Sequence, residues 1–398
     1  MSSATPTPAH TDFGTLWGHP RPLWMLFMAE FWERFAFYGI RWALTLYIVS
    51  EFYNGNASGE GDANRYYGAY LALVYATAIF GGYVADRVIG YQRSILLGAV
   101  VMSIGLFMIM VPHKEVFLLG LAVIVVGNGL FKPNISSLVG QLYAQGDDRR
   151  DRGFTIFYMG INIGGLLSPL ATSWLASYWF GTPQHANYKV VFAAAGVGML
   201  LSTIWFFLGR KQLKGIGEAP ADKPAAKMLA YVITGVILAV PVVYFLVAGL
   251  GAEILAWILG GLFIIVAFML LAEGKKTGTV QLHRVYALLI LFAFNVTFWM
   301  FFEQAGSSFN FLANNLVNRD LFGDGSYVVP TGWFQSINSA AIILFAPIIS
   351  YIWYVTSKMS MEPSIPRKFA FGLLGNALGF LVLMYALTNS VGTDGLIP

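Results

Sequence analysis

The chain contains no cysteine. That absence excludes disulfides and thiolate metal sites and leaves the compartment open. Charge is scarce too: 24 Lys and Arg with 20 Asp and Glu make 11% of 398 residues, where a soluble domain carries about a quarter. The formal +4 is therefore no nucleic-acid footprint; what matters is where the cations lie. The five histidines (10, 19, 113, 185 and 283) are scattered near ends and loops, and neither H-E-x-x-H nor G-x-S-x-G occurs. No catalytic residue, metal site or cofactor is expected, and no carbonyl-filter sequence points to a channel. The opening residues lack the charged-then-apolar pattern of a cleaved signal, so segment 1–21 reads as a cytosolic lead-in.

What the chain has is apolar length. It is 57% hydrophobic, and runs of about twenty apolar residues recur from end to end, enough to cross a bilayer as helices. Spans are expected at 22–50, 66–85, 93–111, 115–141, 153–179, 188–208, 226–249, 252–272, 283–316, 330–356 and 367–388. From a cytosolic N-terminus, seventeen basic residues fall inside and four (Arg65, Lys114, Lys189, Arg319) outside, a strong positive-inside bias. The chain thus reads as an all-α polytopic protein of the cell's inner (plasma) membrane. A basic, Gly/Pro/Ala-rich linker at 209–225 separates six helices (22–208) from a hairpin at 226–272. That hairpin is so apolar that it reads as a lipid-facing spacer. Three spans (283–388) and an outside tail (389–398) follow.

Against this background EFWERFAFYGIRW (30–42) stands out. At 100° per residue, Glu30, Glu33, Arg34, Phe37, Tyr38 and Arg41 share a sector of about 140°. A charge near the bilayer centre costs about 2.5 kcal/mol or more, so charged residues persist in spans mainly when they pair or serve a pathway. Two more lie far along the chain, Lys132 in GLFKPNISS and Glu303 in FWMFFEQAGSS. Three acids thus face three bases. Burial and mutual repulsion disfavour charged carboxylates while arginines favour them, so an acid poised between can take up a proton and leave the cluster attractive to an anionic group. An ion-pair network that merely staples helices is the plainer alternative. Pro133 is expected to loosen its helix. Tyr75, Tyr158, Asn162 and Asn338 are polar within spans, and Asn offers both donor and acceptor to an amide backbone. The pairs Gly160/Gly164 and Gly375/Gly379 read as close helix packing.

These stretches resemble the proton-dependent oligopeptide transporters of the major facilitator superfamily. EFWERFAFYGIRW is similar to their E-x-x-E-R-F-x-Y-Y-G signature, GGYVADRVIGYQR (81–93) to the superfamily's helix 2–3 loop, and FTIFYMGINIGGLLSP (154–169) to F-Y-x-x-I-N-x-G. FWMFFEQAGSS (298–308) is similar to their helix 7 motif. The resemblance implies a major facilitator fold: two six-helix bundles with a hairpin inserted between them, working by alternating access as a monomer. It implies symport of di- and tripeptides with protons, the proton being the coupling ion. Arg41 and Lys132 would hold the peptide carboxylate. Tyr38, Tyr75, Tyr158, Asn162 and Asn338 would contact the peptide, with Trp299 walling the pocket. Glu30, Glu33, Arg34 and Glu303 would couple protons, Glu303 pairing with Arg41, and Asp86 with Arg87 would form a cytoplasmic gate. Phe37 departs from the signature's first tyrosine. Three helices follow the hairpin where the resemblance implies six, and a helix 10 glutamate has no counterpart, so a partial C-terminal bundle is expected. A carrier of nitrate or of a drug-like amphiphile, or a transport-inactive fragment, is the alternative.

Overall fold

A computed structural model of the chain describes residues 12–219 and 224–397. Most of the expected lead-in, residues 220–223 of the linker and Pro398 lie outside the described residues. The chain opens with a small hairpin, β1 (Thr15–Leu16) and β2 (His19–Pro20), and runs straight into α1 (Arg21–Tyr47). Then follow α2 (Glu60–Ala76), α3 (Ala78–Val84), α4 (Tyr91–Met108), α5 (Lys114–Gln141), α6 (Arg149–Trp174) and α7 (Tyr188–Gly209). The second part holds α8 (Ala225–Tyr244), α9 (Gly251–Thr277), α10 (Thr279–Phe302), the short α11 (Ser308–Asn315), α12 (Trp333–Lys358) and α13 (Ile365–Asn389). Among the described residues, ten helical stretches are long and apolar enough to cross a membrane. α1 matches them in length but is not among them, because it carries Glu30, Glu33, Arg34 and Arg41.

The boundaries differ from the expected ones where local chemistry decides. The second span begins early, at Glu60, because Glu60 and Asp62 favour a helix N-terminus. The expected span 283–316 is not one helix. α10 ends at Phe302, a single tighter turn covers Glu303–Gly306, and α11 starts again at Ser308. α5, by contrast, continues through Pro133. Beside the proline, Asn134 donates to Leu130 O at 2.7 Å within the helix and to Gly81 O at 3.1 Å on α3, bracing the step against a neighbour.

The buried apolar core belongs almost wholly to the first seven helices. α1 runs between α6 and α7, and α4 packs on α5 and α7. Gly164 permits this closeness: a Cβ there would lie 2.7 Å from Phe31 O of α1. Gly375 and Gly379 do not repeat the device, since nothing stands within 4 Å of where their Cβ would be. They face a cavity, and α13 leans on α10 and α11 through Phe380 against Phe301 and Phe309. The hairpin α8–α9 is more than a lipid-facing spacer: α8 packs on α5, α9 on α2 and α10, and Val243, Val247 and Leu255 are buried. The linker's first half folds back onto the start of α4, where Gln92 donates to Ile216 O at 2.7 Å and Leu213 is buried.

Contacts between the first seven helices and α10–α12 cluster at the end bearing the 316–332 loop. Trp333 Nε1 donates to Leu170 O at 3.2 Å and Ser336 Oγ to Leu166 O at 2.9 Å. Tyr178 stacks on Tyr327, and its hydroxyl donates to Val328 O at 2.8 Å. The C-terminal tail joins the same end, with Ile397 N donating to Leu316 O. Toward the opposite end, Leu344, Ile348, Tyr351 and Tyr158 are exposed.

Candidate functional site

α1 supplies the charged stripe, and the structure buries it. Glu30, Glu33 and Arg34 are all under 5% exposed. Arg34 Nη2 donates to Glu33 Oε1 at 2.6 Å, its Nε bonds Glu33 Oε2, and that same Nε lies 3.2 Å from Glu30 Oε1. One guanidinium thus serves two carboxylates. Asn128 of α5 adds a donor to Glu33 Oε1 at 3.3 Å, while Glu30 Oε2 is buried without a hydrogen-bond partner. All three charges belong to one helix, so the ion pairs among them join no second helix, and Asn128 supplies the hydrogen bond from α5.

Two turns further along α1, Arg41 Nη2 donates to Glu303 Oε2 at 2.7 Å, joining residues 262 positions apart. Glu303 can reach it because the turn Glu303–Gly306 ends α10 there. Tyr38 and Phe302 flank the guanidinium, with ring centroids 5.8 and 6.0 Å from it. The pair stands between two cavities. Arg41, Tyr38, Gln335, Asn338 and Asn376 help line one of about 640 Å³. Glu303, Tyr75 and Trp299 help line the other, of about 520 Å³. Tyr75 and Trp299 approach with ring centroids 6.5 Å apart.

Lys132 has no ion-pair partner among the described residues. Its ammonium lies instead 4.4 Å from the Tyr75 ring centroid and 6.0 Å from that of Phe37. Both contacts use the ring face rather than a hydroxyl, so phenylalanine at position 37 suits this arrangement.

Four expected residues are not gathered here. Asn162 is buried, but its Nδ2 donates to Tyr158 O on its own helix at 2.8 Å. Neither it nor Tyr158 lines the two cavities above. Asp86 and Arg87 occupy a wide helical turn, Ala85–Ile89, that closes at Gly90 (φ +79°), and Asp86 accepts from the Tyr91 hydroxyl. Sequence reasoning missed Asn128, Asn310 and Gln335. Asn128 stands in the apolar stretch VVGNGLF, which was the available signal, whereas Asn310 in SSFNFLANN and Gln335 in WFQSINS sit among other polar residues.

With this geometry in place, the comparisons with known proteins are decisive. The POT family model matches residues 92–390. The chain belongs to the POT family. Peptide transporter YePEPT of Yersinia enterocolitica is 33% identical over 99% of this chain and 78% of its own length. Dipeptide and tripeptide permease B of Xenorhabdus bovienii is 32% identical over 92% of this chain and 72% of its own. The crystal structure of a point mutant of peptide transporter POT in complex with alafosfalin superimposes with a TM-score of 0.82. It is 34% identical and covers 98% of this chain and 78% of that one. The helical, multi-pass POT architecture is thereby established for this chain.

Proposed function

We propose that this POT family member is a proton-coupled symporter that imports di- and tripeptides by alternating access, and is not an enzyme. The observation that carries the reading is the Arg41–Glu303 pair, set between two cavities two turns from a second buried charge cluster. Arg41 and Lys132 are the cations for a peptide carboxylate. Tyr38, Tyr75 and Asn338 offer hydroxyl and amide groups to the peptide, and Trp299 walls the space. Tyr158, close enough to Tyr38 to interact with it, and Asn162 on the same helix are proposed as further peptide contacts.

Proton coupling follows from charge counting. Glu30 and Glu33 share Arg34, with Lys132 as the further cation that feels both, so a proton on the bare Glu30 Oε2 would leave the cluster with one positive charge in excess, attractive to a peptide carboxylate. A proton on Glu303 would likewise release Arg41 to bind a carboxylate. Each event favours one state of the carrier over the other, as population shift requires. The first six spans form one bundle, the spans after the hairpin belong to the second, and the 316–332 loop faces outward. On that topology the described state is closed outside and open inside, with Asp86 and Arg87 at the cytoplasmic gate. Substrate would sit at the interface of the two bundles, as in carriers of this general design.

Uptake of labelled dialanine into proteoliposomes, with and without an inward proton gradient, tests the reading. The gradient should drive accumulation in the wild type. Glu33→Gln should retain exchange alone, and Lys132→Ala should lose at least tenfold in both. A wild type that moves nitrate or an amphiphile but no peptide would overturn the substrate assignment.

A further inference from the structure

The turn that aims Glu303 at Arg41 is itself held by a second, uncharged set of side chains. Asn310 of α11 is 2% exposed, and its Nδ2 lies 3.0 Å from Gly306 O, 3.3 Å from Arg41 O and 3.4 Å from Thr45 Oγ1. Its Oδ1 accepts from Gln335 Nε2 of α12 at 2.8 Å, and the same Gln335 nitrogen donates to Ala305 O. Two amides therefore connect the backbone of Arg41, the backbone of the Glu303–Gly306 turn and the first turn of α12. There is no slack in the turn: a Cβ on Gly306 would lie 1.9 Å from the Tyr67 hydroxyl.

We infer that Asn310 and Gln335 form an amide latch, a pair of positioning residues that makes unpairing of Arg41 from Glu303 and separation of α12 at the 316–332 end a single event. The inference rests on the proposed transport function. Neither amide titrates, so the latch answers to geometry alone. Gln335 ties α12 to the turn and to α11, so α12 cannot leave the first bundle at this end without Asn310 giving up Arg41 O and Thr45 Oγ1. The turn then loses the contacts that aim Glu303 at Arg41. Conversely, a turn displaced when Arg41 lets go of Glu303 draws Asn310, and with it Gln335 and α12, away from α1. Buried amides left without partners are costly, so intermediate arrangements are disfavoured and the two changes occur together.

The absence of cysteine makes the test direct, because labels introduced at Ser58→Cys and Ser326→Cys meet no background thiol. Both serines are exposed, on loops of the two opposing groups. Spin-label distances would be measured on the full chain in lipid nanodiscs, without peptide. The wild type should show mainly short separations. Gln335→Leu and Asn310→Leu should each raise the ratio of long to short separations about fivefold or more, the scale of one net hydrogen bond. The double variant should add little to either single change, as expected for one coupled unit.

A transport readout separates positioning from mere packing: gradient-driven dialanine accumulation should fall at least fivefold in Asn310→Leu, a residue outside the cavity lining, while exchange stays within twofold. If a leucine variant does not fold, Gln335→Asn must give the same shift in distances in smaller degree, since it is one methylene too short to reach both acceptors. Distance distributions identical to wild type in folded variants overturn the latch. Shifted distances in a protein whose wild type moves no peptide support the latch and overturn the transport reading instead.

Discussion

At the scale of single residues, the site is built on cations matched to unlike partners. Arg34 faces two carboxylates and the Phe37 ring, Arg41 faces one carboxylate and two rings, and Lys132 faces rings alone. The last has a testable consequence. A cation over an aromatic face gains about 0.5–2 kcal/mol, more when desolvated. Tyr75→Ala should therefore raise the KM for a dipeptide about three- to tenfold, by letting Lys132 wander. Tyr75→Phe, which keeps the face and loses only the hydroxyl offered to the peptide, should raise it less than Tyr75→Ala does; initial-rate uptake measures both. The charged residues were legible in the sequence because a charge in an apolar run is costly and rare. Which one meets which was not, since Arg41 and Glu303 are brought together only by the path of the chain. Asn310 escaped notice for a related reason: it is one of three asparagines in SFNFLANN with nothing local to single it out, and only the fold reveals four partners on three elements.

At the scale of elements, spacing between helices is set by glycine where backbones nearly touch. A Cβ on Gly81 would lie 1.7 Å from Gly129 O, a backbone atom that cannot yield, whereas Gly235 of α8 faces open space. Gly81→Ala should cost roughly 1–3 kcal/mol of overpacking and lower the thermal transition in detergent. Gly235→Ala should be neutral or slightly stabilising, since alanine favours a helix by about 0.5–1 kcal/mol. The small hairpin before α1 offers a pH test. His19 is buried, with Nδ1 2.9 Å from the Tyr143 hydroxyl, and burial, with Arg152 and Arg149 nearby, lowers its pKa below the ordinary 6.5. A base with a lowered folded pKa is neutral when docked, so its contribution is complete above about pH 6.5 and declines as pH falls below it. Hydrogen exchange over residues 13–20 should accelerate between pH 7 and 5 beyond the intrinsic trend, and His19→Gln should flatten that response. Helix existence was readable from apolar length, because the bilayer imposes it. The break at Glu303–Gly306 was not, because the polar contacts that stabilise it come from α12 and α1, distant in sequence.

At the scale of the whole molecule, two groups of helices meet at one end through Trp333, Ser336, Tyr178 and the amide pair, and part toward the other. The charged residues lie just beneath that contact, where a change in charge can decide whether it holds. A carrier needs nothing more than such a differential interaction between two states. The central claim is that peptide and proton move together. The measurement that tests it most directly is luminal pH, followed with a trapped dye in proteoliposomes, as dialanine is added outside with no gradient imposed. Coupled import predicts that the lumen acidifies in step with peptide entry, and that Glu33→Gln abolishes the acidification. Peptide entry at an unchanged luminal pH would contradict it.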